Sequence, residues 1–314
     1  MSYKKTVQEL ASGDTTTAST GISSVQGELW LKEILEFAKH LLVYEQFAKV
    51  ADLAPGNNVF HMPVATANID FDITSAEGTG RTMTQIDNLS TVDFTPATQR
   101  FGVAVARDVV RTSQVDVLTF AREQLGYDAA LNIEDALVSA INGATPAADL
   151  FGGAATTRAT LAAGDVLSTS LLNQAQRALK SQGWMSEPDR PFVALMAAEQ
   201  EEALMEDTQF VDASQYGTNE VVMNGEIGRY LGLRIVISNR TTSFADGGAG
   251  GNLDGHYVYV LKAKVAYGIV YGERPFLDFE YEKNEAEHRI YLDMSYAADS
   301  LQDAAIVHMQ VLDV

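Results

Sequence analysis

From Ser113 to Gly143 the chain repeats apolar residues at helical spacing, with Leu118, Ala121, Leu125, Ala129, Ile133, Ala136 and Ala140 falling on one face. Nothing else in the sequence constrains the fold as strongly. About 29 residues at 1.5 Å each make a rod of roughly 43 Å, long for a globular helix, so the pattern predicts a spine against which other elements lie. Ser113 with Asp116 resembles an N-terminal capping pair, and Gly143 suits the far end.

Upstream of this rod the pattern changes twice. Residues 1–24 are rich in Ser, Thr and Gly ("ASGDTTTASTGISS") without apolar periodicity, which predicts a mobile arm that orders on a partner. Between Val25 and about Val50, Trp30, Ile34, Phe37, Leu41 and Tyr44 recur at steps of three and four, predicting an amphipathic helix ended by Pro55, Gly56 and Asn57. From Asn58 to Ala106 the period becomes two: "IDFDI" and "TVDF" alternate apolar with polar residues, and "FGVAVAR" alternates large with small. The intervening "TSAEGTGRTMTQIDNLS" suits the tip of a long projecting hairpin. A two-stranded ribbon is marginal in water, so it is expected to lie on its own body or on a neighbouring copy.

Downstream, "TPAADLFGGAATTRATLAAGD" reads as a loop and "STSLLNQAQRALKSQG" as a capped helix closed by Gly183. "FVALM" reads as a short buried strand and "AAEQEEALMED" as an acidic helix, while "LRIVIS", "HYVYVL", "FLDFEYE", "RIYLDMSY" and "AIVHMQV" are strand-like. Helices and strands are segregated, which points to an α+β fold and away from the regular alternation of a doubly wound sheet.

Candidate chemistry is thin. Gly225, Gly228 and Gly232 in "VVMNGEIGRYLGLRIVISN" are spaced three then four and precede the strand, so they fit a turn, a helical turn and a strand better than a dinucleotide fingerprint. "DGGAGGNLDG" resembles one unit of a glycine-rich calcium repeat, a structure that needs stacked copies, so a surface loop is expected. Glu199, Glu201, Glu202, Glu206 and Asp207 form an acidic cluster with no histidine beside it, as on a solvated face. His40, His61, His256, His288 and His308 show no metal-ligand spacing, and no Walker, G-x-S-x-G or H-E-x-x-H motif occurs. We expect no catalytic, cofactor or metal site. With no cysteine the chain forms no disulfide and has no thiolate ligand or nucleophile. Its net charge of −20, from 42 acidic against 22 basic residues, repels nucleic-acid phosphates and anionic membranes. No apolar run approaches a membrane span, and the polar start does not read as a signal peptide, so folding in a cytoplasm is expected.

The order of elements (arm, helix, projecting hairpin, spine helix, mixed domain) resembles the major capsid proteins of tailed bacteriophages, the Hong Kong 97-type fold. The resemblance is carried by "FGVAVARDVVRTSQVDVLTFAREQLGYDAALNIEDALVSAING", by "DTQFVDASQYGTNEVVMNGEIGRYLGLRIVISN" and by "YVYVLKAKVAYGIVYGERPFLDFEYE" with its closing strand. It implies an N-terminal arm and arm helix at 1–54, an extended loop with flanking strands at 55–106 and a peripheral-domain spine at 107–143. An axial domain at 144–285 and a return to the peripheral domain at 286–314 complete the division. It further implies self-assembly into the hexamers and pentamers of an icosahedral shell, a component of the virion assembled in a host cytoplasm. A portal, packaged DNA held without specific binding and an optional decoration protein would be partners, with no membrane. Because only a short arm precedes the first helix, a separate scaffolding protein is expected rather than a fused one. Arg81 and Arg100, on the extended loop and its return strand, are the expected charged anchors between subunits. Two alternatives remain: a soluble oligomeric metal-dependent enzyme or ligand-binding protein built on the acidic helix and "DGGAGGNLDG", and an encapsulin-like compartment shell.

Overall fold

The structure, a computed structural model, describes residues 43–66, 88–113, 116–207, 229–230 and 232–313. Expectations for the arm at 1–24, most of the arm helix, the hairpin tip with "IDFDI", and Gly225 and Gly228 lie outside these residues.

The chain enters through a four-residue helix, α1 (Tyr44–Phe47), and passes straight into strand β1 (Lys49–Asp52). This corrects the expected helix to Val50: the turn stops at Ala48, whose backbone is extended, because 49–52 pair in parallel with Gly268–Tyr271. Strands β2 (Phe60–Ala65) and β3 (Leu89–Phe94) follow as a two-stranded ribbon. The chain then returns along β4 (Ala97–Ala106) into a short helix α2 (Arg107–Thr112) and the spine α3 (Val117–Gly143).

The spine is a separate 27-residue helix, about 40 Å long. Its N-cap is Asp116 itself, whose carboxylate accepts the Thr119 amide at 3.1 Å and hydroxyl at 2.7 Å; these bonds hold its pKa below the ordinary value. The expected Ser113–Asp116 pair is corrected accordingly: the Ser113 amide instead bonds Val109 O and closes α2. Ala121, Leu125, Ala129 and Ile133 are buried as the repeat predicts, and the stripe continues through Leu137, Val138 and Ile141.

Two sheets flank the spine. The four-stranded sheet, in order β1–β11–β12–β4, is built around the long hairpin β11 (Tyr267–Glu282) and β12 (Glu287–Ser300). Ile290, Leu292 and Met294 of β12 join the spine residues in one core, with Phe101 of β4 packed against it. The second sheet runs β5–β13–β10–β6–β8–β7, with β9 on β10. Its members are β5 (Ala148–Phe151), β6 (Phe192–Met196), β7 (Arg229–Tyr230), β8 (Leu233–Ile237), β9 (Ser243–Gly247), β10 (Leu253–Lys262) and β13 (Ile306–Leu312).

Both faces of this sheet are covered, which the period of two makes visible. Ala194, Met196, Val258 and Val260 face helix α4 (Thr169–Ser181) through Leu171, Leu172, Ala175 and Leu179. Val193, Leu195, Tyr259 and Leu261 alternate with them and join the spine's core. The end of the spine is pinned there by Tyr259, whose hydroxyl donates to Asn142 Oδ1 at 2.6 Å, and by His308 Nε2, 3.0 Å from the Ile141 carbonyl. Helix α4 is capped by Ser168 and closed by Gly183 at φ +86°, as expected. Helix α5 (Ala198–Glu206) is the acidic helix.

The segment expected to be a loop before α4 contains β5, a correction whose cause is parallel pairing with β13 at Val307–Gln310. The division expected between 285 and 286 falls in the β11–β12 turn, so the four-stranded sheet draws on both sides of it, while β13 pairs with β10 in the seven-stranded sheet.

Candidate assembly surfaces

The β2–β3 ribbon has two unlike faces. Phe60 pairs with Phe94 and Met62 with Val92 on the half-buried face, while His61 and Asp93 pair at 2.5 Å on the exposed one. At one end Phe94 is buried; at the other, Ala65, paired with Leu89, accepts a hydrogen bond from Gln302 Nε2 at 2.8 Å. There Leu89 is 64% exposed, on the face of β3 that it shares with Asp93. Arg81 lies outside the described residues.

A second surface lies on the far half of the β11–β12 hairpin. Register shifts on either side of Glu273 separate this half from the part of β11 that pairs β1. Beyond them Leu277, Phe279 and Tyr281 pair with Leu292, Ile290 and His288 on the spine side, and Phe276 and Asp278 pair with Asp293 and Tyr291 on the other. Phe276 is 60% exposed and Phe279 48%. On the spine side, Leu118, Arg122, Phe279, Tyr281, His288 and Ile290 line an open hollow of about 240 Å³. On the other, a shallower one of about 410 Å³ is lined by Arg100, Phe101, Gly102, Asp278, Tyr291 and Asp293. Arg100 therefore stands on the edge strand β4, highly exposed, with Nε 3.9 Å from Asp293 Oδ1. Sequence periodicity did not single out Phe276, Phe279 or Arg122, because an exposed apolar strand residue alternates like one covered by its own chain.

The third element is the junction where the arm meets the body. Glu134 on the spine, 2% exposed, accepts the Tyr44 amide through both carboxylate oxygens at 2.9 and 3.0 Å and the Glu45 amide at 3.3 Å. Tyr267 donates to Tyr44 O at 2.6 Å, and Tyr271 to Glu45 Oε1 at 2.7 Å. Arg274 closes the junction with two bonds to Asp52, at 3.0 and 3.1 Å. Glu134 was missed in the sequence, although an acid in phase with Leu137, Val138 and Ile141 within an apolar stripe is a usable signal.

The residues weighed for ligand chemistry take structural roles where they are described. Asp207 accepts the Thr169 amide and hydroxyl at 2.8 Å each, at the start of α4. Asp246 of "DGGAGGNLDG" pairs with Arg158, and the segment forms the turn between β9 and β10. Gly232, at φ +84°, leads into β8 beside the buried β6. His256 meets Asp313 at 2.8 Å, and Gln200 donates to the same carboxylate oxygen at 2.9 Å. Among the described residues no group of three or more His, Asp or Glu is placed to hold a metal ion, and no helix is long and apolar enough to cross a membrane.

A family model described as "Phage capsid protein" matches residues 88–298. Among solved structures, the capsid of Ralstonia phage GP4 superposes with a TM-score of 0.71 at 16% identity, covering 96% of this chain and 99% of that one. The capsid of cyanophage P-SCSP1u gives 0.72 at 15% identity, covering 96% and 97%. The capsid of a native GTA particle gives 0.71 at 13% identity, covering 95% and 99%. No protein of curated function gives a significant match.

Proposed function

The chain belongs to the phage capsid protein family, and from that premise we propose how its surfaces divide the work of building a shell. It is a major capsid protein with the Hong Kong 97-type α+β fold, a structural component of the virion that assembles with its own copies into the capsid.

Copies form hexamers and pentamers of an icosahedral shell, and the β2–β3 ribbon lies across a neighbouring subunit. The observation that carries this is the ribbon itself: two strands outside both sheets, with one apolar face and Leu89 left exposed. A ribbon of this kind is marginal alone, and a closed symmetric assembly supplies its missing partner from the next copy. The far half of the β11–β12 hairpin, with Phe276 and Phe279, is a complementary apolar surface, and Arg100 an anchor on its edge. The spine and four-stranded sheet form the peripheral domain. The seven-stranded sheet with α4 and α5 forms the axial domain.

Assembly takes place in the host cytoplasm on a separate scaffolding protein, around a portal, with a decoration protein on the mature shell where one exists. The chain has no catalytic activity of its own. Packaged DNA is enclosed without specific binding, because a chain of net charge −20 offers it a wall to which it does not adhere. Electron microscopy of the expressed protein, alone and with its scaffolding protein, tests the reading. Closed shells support it, and small discrete oligomers that bind calcium would replace it with the metal-dependent alternative.

A further inference from the structure

Several contacts fix how the arm leaves the body, and those made to its first amides converge on one carboxylate. Glu134 is an acceptor with about four lone-pair sites and no donor when ionised, and it spends them on the amides of Tyr44 and Glu45. These amides belong to the first residues of α1, the point through which everything upstream of Val43 connects to the subunit. The groups around it come from each packed element. Tyr44 and Glu45 stand on α1, Tyr267 of β11 bonds the Tyr44 carbonyl, and Arg240, which follows β8, is committed to Asp135 beside Glu134 on the spine. Tyr259 of β10 and Arg240 act on the Tyr44 side chain, and the charge acting on Glu134 is that of Glu45, of the same sign.

We propose that Glu134 is the positioning residue of the N-terminal arm: it sets the direction in which the arm leaves the subunit, and its protonation state sets how tightly that exit is held. The consequence for shell geometry rests on the capsid reading above; the anchor itself does not. Burial raises the Glu134 carboxyl above its ordinary value of 4.5 and the charge of Glu45 adds to this, while the amide bonds from Tyr44, Glu45 and Val43 oppose it. A docked junction therefore binds the proton more tightly than an undocked one in which Glu134 meets water. By linkage, docking is tightest below 4.5, loosens as pH rises through the raised value, and is independent of this group above it.

Hydrogen exchange of the full chain, corrected for intrinsic rates, reads this at the 43–48 amides. In the parent protein their protection should rise on acidification, by about tenfold for each unit by which docking raises the carboxyl pKa. Glu134→Gln keeps a carbonyl acceptor without the charge, so it should retain protection but lose the pH dependence. Glu134→Ala leaves the amides that it accepts unpaired and should raise exchange at 43–48 about tenfold or more, with the spine amides at 125–141 unchanged. In parallel micrographs the parent and Glu134→Gln should close shells, and Glu134→Ala should give open or irregular ones. A flat parent profile, or a Glu134→Ala protein with parental protection, overturns the proposal. If Glu134→Ala does not fold, the parent and Glu134→Gln profiles decide. A parent that forms no shells even with its scaffolding protein defeats the shell reading and leaves the exchange result to judge the anchor.

Discussion

The guanidinium of Arg122, in the second turn of the spine, sits 4.3 Å above the ring of Phe279 on β11. This contact ties the start of the spine to the hairpin, yet Phe279 remains 48% exposed. Within one subunit the ring contributes modestly: about half of a fully buried phenylalanine's 1.5–3 kcal/mol, with about 0.5–1 kcal/mol from the cation–π contact. Phe279→Ala should therefore lower the stability of the unassembled subunit by about 1–2 kcal/mol. The loss in the shell should be larger, because a neighbour completes the burial. Calorimetry of both forms checks this, and equal losses in subunit and shell would show that no neighbour covers the ring.

Arg100 separates the same two states more cleanly. Its contact with Asp293, at 3.9 Å between highly and moderately exposed side chains, is worth about 0–1 kcal/mol. Arg100→Ala should leave the unassembled subunit's denaturant midpoint unchanged and lower the salt and heat resistance of assembled shells. Shells that match the parent would remove Arg100 as an anchor. Arg81→Ala is the companion experiment on the extended loop.

How far the sequence could be read depends on where each element finds its partner. The spine and "FVALM" were legible because periodicity and burial are local: Leu125 and Ile133 fall on one face whatever lies opposite. Strands β1 ("KVAD") and β5 ("ADLF") were not, since each is four residues long and held by parallel pairing with chain more than a hundred residues away. Glu134 was hidden by the same rule. Its phase with Leu137 and Ile141 marks it as facing the core, but the amides it accepts lie on another helix that the sequence does not place beside it. The assembly surfaces were the least legible, because exposure of Phe276 or Leu89 is a property of the folded surface that periodicity does not carry.

Acid should weaken the subunit through His308. The ring is 5% exposed, and burial lowers its pKa below the ordinary 6.5, against the opposing pull of Asp149, the Ile141 carbonyl and Asp303. The unfolded chain then binds the proton more readily, so stability is fully present above about 6.5 and falls as pH drops through the lowered folded value. Glu134 acts in the opposite direction nearer 4.5, so the comparison must isolate His308. Denaturant titrations at about pH 7.5 and 5.5 should show a drop in the parent that is smaller in His308→Gln. Identical drops would assign the acid sensitivity to other groups.

The resemblance to Hong Kong 97-type capsids brings with it a known chemistry, in which a lysine on the extended loop of one subunit forms an isopeptide bond with an asparagine of another. That reaction needs an amine, and from Ala51 to Leu179 this chain has no lysine. Asn57, Asn58, Asn68 and Asn88 could serve as acceptors, but the loop's arginine cannot replace the amine because its guanidinium stays protonated. The absence of cysteine rules out disulfide links as well. Boiled mature particles should therefore run on a denaturing gel as a single band near the 34.0 kDa monomer. A ladder of dimers, pentamers and hexamers would sink the prediction and move the bond off the loop. Lys283, exposed in the β11–β12 turn beside Asn284, would then be the first amine to test, since Lys283→Arg keeps the charge and removes the nucleophile.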